Sequence, residues 1–367
     1  MRILVLFLDM VRGNLLKNSE LYEYLQNFKG TLYSNVFSPA PDTGRGIGVF
    51  LSGKSPYENG CDNRVKYPKF FLKDKTIFDY FEGYKKTFFL HQHNIIPEKK
   101  DYEMFFDISL TKFCENLKLE DNHLLFLDIP TYHSVLDNFG YSKKGYQKAN
   151  KELVKDLETF FQYFPKDEFD EIFIFSDHGF KFSYEMLYQK LFNKKFLLLN
   201  EDRTNILFFH HKKGDNEFII NQNLGSLTDM FYLIKSSLNN KNYIINRDYI
   251  VIEDHYTFLQ QYTNLEIYSV VMKEKIYIRI YKKGYLLDRK TRNIIETINK
   301  NFDEILINES FHFREMYQIE QAKQTSNSNN LCVRNSKRCK ARSKFLKNID
   351  LLQDVIINWR LYFGNIL

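Results

Sequence analysis

The sequence predicts an α/β protein: a mostly parallel central sheet flanked by helices, followed by a smaller antiparallel β subdomain. Three observations predict it. Short continuous apolar runs recur through the first part of the chain, each closing on a polar group that can ionise or bind a metal. Stretches with apolar residues at helical spacing lie between those runs. From about Asn246 the pattern changes to one that reads as an antiparallel meander.

The first run, Ile3 to Leu8, opens onto Asp9. Such an uninterrupted run is what a strand covered on both faces requires. It is short, and no small-residue cleavage site follows, so it reads as a strand and not as a secretory leader. "KTFFLH" at 86–91, "HLLFLD" at 123–128, "EIFIFSD" at 171–177 and "NILFFHH" at 205–211 repeat the pattern. Between them "KTIFDYFEGY" at 75–84 and "GYQKANKELVKDLETFFQYF" at 145–164 read as helices. The second spaces Leu153, Leu157, Phe160, Phe161 and Phe164 along one face. Strands alternating with helices imply a largely parallel sheet, and such sheets gather ligands outside the carboxyl ends of their strands. Asp9, His91, Asp128, Asp177 and His178 would all emerge there.

The meander then runs through "DYIVIEDHY", "LEIYSVVMKEKIYIRIYKKGYLLDRKT" and "NIIETINKN", with a turn expected at Lys283 and Gly284. "QTSNSNN" at 324–330 reads as a polar linker. A basic run and an amphipathic helix at 349–367, carrying the only tryptophan, Trp359, close the chain. The expected units are therefore 1–245, a catalytic α/β domain; 246–320, a β subdomain; and 321–367, the linker, basic run and helix.

Composition narrows the class. With 367 residues, 35 Phe, 25 Tyr and an apolar fraction of 44%, the chain has material for a large core and does not resemble a disordered one. Cys61, Cys114, Cys332 and Cys339 share no metal-knuckle or disulfide spacing, which suits a reducing compartment. No stretch approaches the roughly 20 apolar residues that span a bilayer, so a cytoplasmic location is expected. Residues 331–347 hold seven cations and no acid, while the whole chain carries only +6, so basicity belongs to the tail and the body is near neutral. That balance gives no reason to expect specific nucleic-acid binding. The tail can dock on the anionic inner face of a membrane, the preferred reading, bind nucleic acid, pack against a second subunit or stay solvated.

The stretch "PDTGRGIGVFLSGKSPYENG" at 41–60 poses the functional question, because a lone Thr43 stands between Asp42 and a Gly-Arg-Gly turn ahead of a short apolar run. With "FLD" at the first strand end, "FEGYKKTFFLHQH" and "IFIFSDHG" in the same order, it resembles the sulfatase and alkaline phosphatase superfamily over roughly residues 1 to 285. The resemblance implies an alkaline-phosphatase-like fold with Thr43 as nucleophile at a helix N-terminus, where free N–H groups and the helix dipole favour a tetrahedral anion. It also implies a divalent ion, since a threonine hydroxyl is a poor nucleophile at neutral pH. Asp9, Thr43, Asp177 and His178 would be its ligands. Three oxygen donors and one imidazole suit Mn²⁺ or Zn²⁺ better than Ca²⁺, with Mg²⁺ a further option.

Threonine at this position excludes one branch. Formylglycine sulfatases need a Cys or Ser there, because a secondary alcohol cannot be oxidised to an aldehyde. The resemblance therefore shifts toward phosphodiesterases and phosphoglycerol or phosphoethanolamine transferases, which work through a phosphorylated threonine. His91 and His93 take the places of the lysine and histidine in the sulfatase pattern "GKWH", as substrate contacts or as help for the leaving group. His133 resembles the family histidine after the third strand, a substrate contact. Asp128 is either a substrate contact or part of a second metal site, for which His210, His211 and His255 qualify by residue type alone; one metal is the expectation. Arg45 could clamp a phosphoryl oxygen, although the sulfatase arginine stands four residues after the nucleophile and not two. Lys54 reads as structural.

The expected activity is a phosphomonoesterase, phosphodiesterase or phosphotransferase acting on a phosphorylated cell-surface glycan, a lipid-linked precursor or a small phosphoester. The alternatives are a sulfuric ester hydrolase lacking formylglycine and a non-catalytic scaffold of the same fold in polysaccharide assembly.

Overall fold

The structure, a computed structural model, describes residues 1–61, 72, 75–92, 95–183, 203–254, 267–280, 283–291, 293–297, 300–310, 313–314 and 317–318. His93, His255, the polar linker and the whole basic tail lie outside the described residues. In chain order the strands are β1 (Arg2–Leu8), β2 (Gly30–Tyr33), β3 (Val36–Phe37), β4 (Lys85–Leu90), β5 (Tyr102–Phe106), β6 (His123–Ile129), β7 (Glu171–Phe175), β8 (Phe208–Lys212), β9 (Phe218–Asn221), β10 (Gly225–Ser226), β11 (Tyr249–Asp254), β12 (Ile267–Met272), β13 (Lys275–Ile280), β14 (Lys283–Asp288) and β15 (Ile294–Thr297). The helices are α1 (Glu20–Phe28), α2 (Thr43–Ser52), α3 (Pro56–Asn59), α4 (Leu110–Asn116), α5 (Thr131–Phe139), α6 (Lys143–Tyr163), α7 (Leu227–Leu238) and α8 (Lys300–Glu309).

An eight-stranded sheet in the order β5-β4-β6-β1-β7-β8-β2-β9 forms the centre. Neighbours pair in parallel except around β8, which runs antiparallel to both β7 and β2. The alternating side chains of β1 explain why its run is apolar throughout. Leu4, Leu6 and Leu8 face a layer built by α1, α4, α5 and α6, while Ile3, Val5 and Phe7 face a layer built by α2 and α7. Each such side chain removed from water contributes about 1.5–3 kcal/mol, and both faces of the sheet gain it. On α2, Ile47, Val49, Phe50 and Leu51 are fully buried, and Phe50 stacks on Phe175 of β7 at 4.3 Å. That packing fixes α2 against the strand whose end carries Asp177.

The second sheet, β11-β12-β13-β14-β15, is antiparallel. One face packs Ile252, Val271 and Leu287 with Phe37 and Leu224 of the first unit, and the other packs Tyr268, Val270 and Tyr277 with Leu306 of α8. Among the described residues, no helix is long and apolar enough to cross a membrane.

Four sequence expectations change in the structure. Residues 75–84 form only a 3-10 turn at Ile77–Tyr80, because Gly83 at φ 78° directs the chain straight into β4. The strand at 205–211 is reversed relative to β7, so its histidines sit at the opposite edge from the one expected. Lys283 pairs with Ile280 and Gly284 with Arg279, so both residues of the expected turn lie inside the ladder. A Cβ on Gly284 would collide with the Tyr277 hydroxyl. Finally, the meander is followed by helix α8, which covers its outer face.

Candidate active site

Four strand ends and one helix start converge at the carboxyl edge of the first sheet. Asp9 follows β1 directly, Asp177 and His178 follow β7, Asp128 is the penultimate residue of β6 with His133 in the first turn of α5, and His91 and Gln92 follow β4. Helix α2 begins at Thr43. Its N-cap is Asp42, whose Oδ1 accepts the Arg45 N–H at 3.2 Å, so the N–H groups of Thr43 and Gly44 precede the first intrahelical bond. The helix start can approach the β7 end because residue 46 is glycine: a Cβ there would lie 2.9 Å from the Asp177 carbonyl oxygen.

Asp9, Asp177 and His178 are buried and offer ligand atoms that all lie within 4.8 Å of one another. Asp177 Oδ1 accepts the N–H groups of Met10 (3.2 Å) and His178 (2.8 Å), and Met10 adopts φ 70° to make this approach. His178 Nδ1 donates to the Gly179 carbonyl at 2.8 Å, which in the neutral ring leaves the Nε2 lone pair facing inward. Nε2 lies 3.5 Å from Asp177 Oδ2, 3.9 Å from Asp9 Oδ1 and 3.3 Å from Thr43 Oγ1. Asp9 Oδ2 accepts from His133 Nδ1 at 2.8 Å and Gln92 Nε2 at 2.9 Å.

The residues fit a divalent cation. Asp9 Oδ1 and Asp177 Oδ2 are buried and, by distance and angle, accept no hydrogen bond among the described residues, although the Thr43 hydroxyl stands close enough to Asp177 to favour its ionised form; such an arrangement is costly without a positive partner. The imidazole nitrogen beside them carries an available lone pair, and its other nitrogen is anchored to a carbonyl, as metal-binding histidines are. Asp9, Asp177 and His178 would hold the ion, with Thr43 Oγ1 close to the same nitrogen.

Burial pushes Asp177 up to about 6, helped by the charge of Asp9 and opposed by His178. Burial likewise pushes Asp128 up to about 7, although the N–H groups of His91 and Gln92 oppose it. His133 is raised to about 9, chiefly by its hydrogen bond to Asp9. Burial would also raise Asp9, but the His133 hydrogen bond and the charges of His178 and His133 prevail and hold it below the usual carboxylate range.

These shifts set a pH dependence for the metal-free protein. The two raised acids penalise folding as pH climbs from the ordinary value of 3.8 through about 6 and 7. His133 contributes stability that is complete below 6.5 and lost as pH rises through about 9. Asp9, shifted downward, acts only below 3.8, outside that window. Stability falls with pH wherever the folded state holds more protons. His123, lowered to about 4 by burial, and His211, also lowered, act in the opposite sense below about pH 6.5. The unfolding temperature of the metal-free chain should therefore drop by several degrees between about pH 7 and pH 9. Mn²⁺ should raise it more near pH 8 than near pH 5, because the ion displaces protons. Differential scanning calorimetry checks this, and a metal-free midpoint that climbs over that range would contradict it.

The structure thus brings Asp9, Thr43, Asp177, His178, His133 and Asp128 to one edge. Arg45 is placed differently from its expected role as a phosphoryl clamp. Its side chain is fully buried, with Nε at 2.6 Å from Asp42 Oδ2 and a second nitrogen on the Glu253 carbonyl at 3.1 Å, so its guanidinium braces the helix cap against β11. His91 is exposed, and its backbone N–H serves Asp128. His210 and His211 are removed from any second metal site. His210 bonds Glu171 at the amino end of β7 and stacks on Phe173, and His211 donates to the Lys29 carbonyl. Lys54 lies beyond the far end of α2, about 15 Å along the axis from Thr43, beside a cavity of about 210 Å³ that Arg247 and Glu309 also line. Sequence reasoning missed Gln92 and Gly46. Gln92 was visible only as the residue between two histidines, and Gly46 only as part of the Gly-Arg-Gly turn.

No protein-family model matches the chain, and no curated protein sequence does. The fold is that of the sulfatase and alkaline phosphatase superfamily. Among similar solved structures are the 2-O GAG sulfatase BT1596, at 12% identity and TM-score 0.61 over 92% of this chain and 95% of that one; a protein in the alkaline phosphatase superfamily from Vibrio parahaemolyticus, at 12% and 0.59 over 87% of each; and the phosphonate monoester hydrolase SpPMH from Silicibacter pomeroyi, at 10% and 0.54 over 90% and 96%.

Proposed function

We propose that this chain is a metal-dependent phosphoryl-transfer enzyme of the alkaline phosphatase superfamily, with Thr43 as nucleophile. The observation that carries the reading is the Thr43 hydroxyl at the start of α2, 3.3 Å from the His178 nitrogen that completes the buried Asp9, Asp177 and His178 group. An ion held by that group would supply Lewis-acid charge neutralisation. The chain's own residues do the rest. The N-terminus of α2 receives the anionic phosphoryl group. Thr43 gives up its hydroxyl proton to solvent and its Oγ1 forms a bond to phosphorus, as the ester oxygen leaves with the electron pair of the broken bond and takes up a proton. His133, raised to about 9 and therefore cationic at neutral pH, holds Asp9 through Nδ1 and faces Asp137 through Nε2 at 3.3 Å, so it adds positive charge at the site edge. Water or an acceptor hydroxyl then takes the phosphoryl group from Thr43.

The solved neighbours include a sulfatase of GAG and a hydrolase of phosphonate monoesters, and a glycan-linked or small phosphoester is the substrate class we infer. Threonine argues against sulfate esters, because it cannot become formylglycine. The test is turnover of para-nitrophenyl phosphate, bis(para-nitrophenyl) phosphate and para-nitrophenyl sulfate with Mn²⁺ or Zn²⁺. A phosphoester should be hydrolysed, the sulfate should not, and a chelator should abolish activity. Hydrolysis of the sulfate alone would overturn the reading in favour of a sulfuric ester hydrolase. Metal binding without turnover of any of these esters would favour the scaffold.

A further inference from the structure

We propose that Gln92 and Asp128 are positioning residues that set Asp9 for the ion, an inference that rests on the metal reading above. Asp128 is fully buried on β6, opposite Phe7 of β1, and its Oδ2 accepts the backbone N–H groups of His91 at 3.1 Å and Gln92 at 3.0 Å. Those two bonds pin the turn leaving β4. The pinned turn delivers the Gln92 carboxamide to Asp9, where Nε2 donates to Oδ2 at 2.9 Å. His133 Nδ1 donates to the same oxygen at 2.8 Å. With two donors on Oδ2, the carboxylate cannot rotate without breaking both, and Oδ1 is the oxygen left facing His178 Nε2.

The choice of an amide has a physical reason. Beside His133, which already brings a positive charge to Oδ2, a lysine would add a second one that repels a divalent ion, whereas a carboxamide orients the carboxylate as a neutral donor. Asp128 acts through Oδ2, which accepts two backbone N–H groups, while its Oδ1 is buried with no hydrogen-bond partner among the described residues; an asparagine keeps the accepting oxygen and can replace it in this role. Groups that orient a metal ligand from behind typically contribute 10- to 100-fold in metal affinity.

The test is Mn²⁺ affinity by titration calorimetry on the full chain, with the electron paramagnetic resonance spectrum of the bound ion as a second readout and metal-free thermal unfolding as the control for folding. Gln92→Met, similar in length but without the donor, should weaken Mn²⁺ binding at least about tenfold and change the spectrum, with the metal-free unfolding temperature unchanged. Asp128→Leu should weaken it comparably. Asp128→Asn should restore near-native affinity. The Gln92→Met/Asp128→Leu double variant should lose no more than the worse single variant, because both break one chain of contacts. Native affinity in Gln92→Met, or losses that add in the double variant, would overturn the inference. Equal losses in Asp128→Asn and Asp128→Leu would also overturn it, by showing that the Asp128 carboxylate itself contacts the ion. If the wild-type chain bound no Mn²⁺ or Zn²⁺, the metal reading would fall first and this inference with it.

Discussion

Replacing Thr43 with alanine should lower phosphoester turnover about a thousandfold or more while leaving the chain folded, because the variant lacks the atom that bonds to phosphorus. Thr43 is only half-buried at the first position of α2, and the cap that holds the helix start is the side chain of Asp42. Alanine is a good helix former, so the stability cost should stay within about 1 kcal/mol. Thr43→Ser retains a hydroxyl at the same place and should retain turnover. Steady-state kinetics beside circular dichroism separates the outcomes. A folded Thr43→Ala protein with most of its activity would remove the proposed nucleophile, and the mechanism with it.

Asp177→Asn should be the most damaging change to metal affinity among isosteric substitutions. Asparagine keeps the oxygen that accepts the Met10 and His178 N–H groups but puts an NH₂ group where Oδ2 now sits, 3.5 Å from His178 Nε2. Such a group cannot ligate a cation. The loss should exceed the roughly 10- to 100-fold that follows from removing a group behind a ligand. His91→Ala should leave affinity near native, since that side chain is exposed and the residue serves the site through its backbone. The metal-free Asp177→Asn chain should unfold no earlier than wild type near pH 8, because it no longer buries a carboxyl whose ionisation is penalised. Calorimetric titration with Mn²⁺ decides. Equal losses in the two variants would mean that ligands and rim residues have been divided wrongly.

Much of the architecture was legible because it rests on local chemistry. An apolar run such as Ile3 to Leu8, followed by an acid, can be stable only as a strand buried on both faces, and the structure packs it that way. The spacing of Leu153, Leu157 and Phe160 likewise forecasts α6, with all three buried. The reversal of β8 was not legible, because an apolar run reads the same in either direction. Residues 75–84 misled for a related reason: a short amphipathic pattern does not say whether the chain has room for a full helical turn before the next strand begins.

For the site, the sequence by itself placed Asp9 where one apolar run stops, Asp177 and His178 where another stops, and Thr43 just ahead of a third. Tertiary structure alone decided which polar groups face one another. It turned the Arg45 guanidinium onto Asp42 and away from the role expected of it. It sent His210 to Glu171 at the far edge. It brought Gln92, 83 residues away along the chain, onto Asp9. The physical reason is range. Periodicity and strand ends are set by neighbours a few residues apart, whereas a hydrogen bond requires two groups within about 3 Å and in line, and only the packing of α2, β1, β4, β6 and β7 into one edge sets those distances.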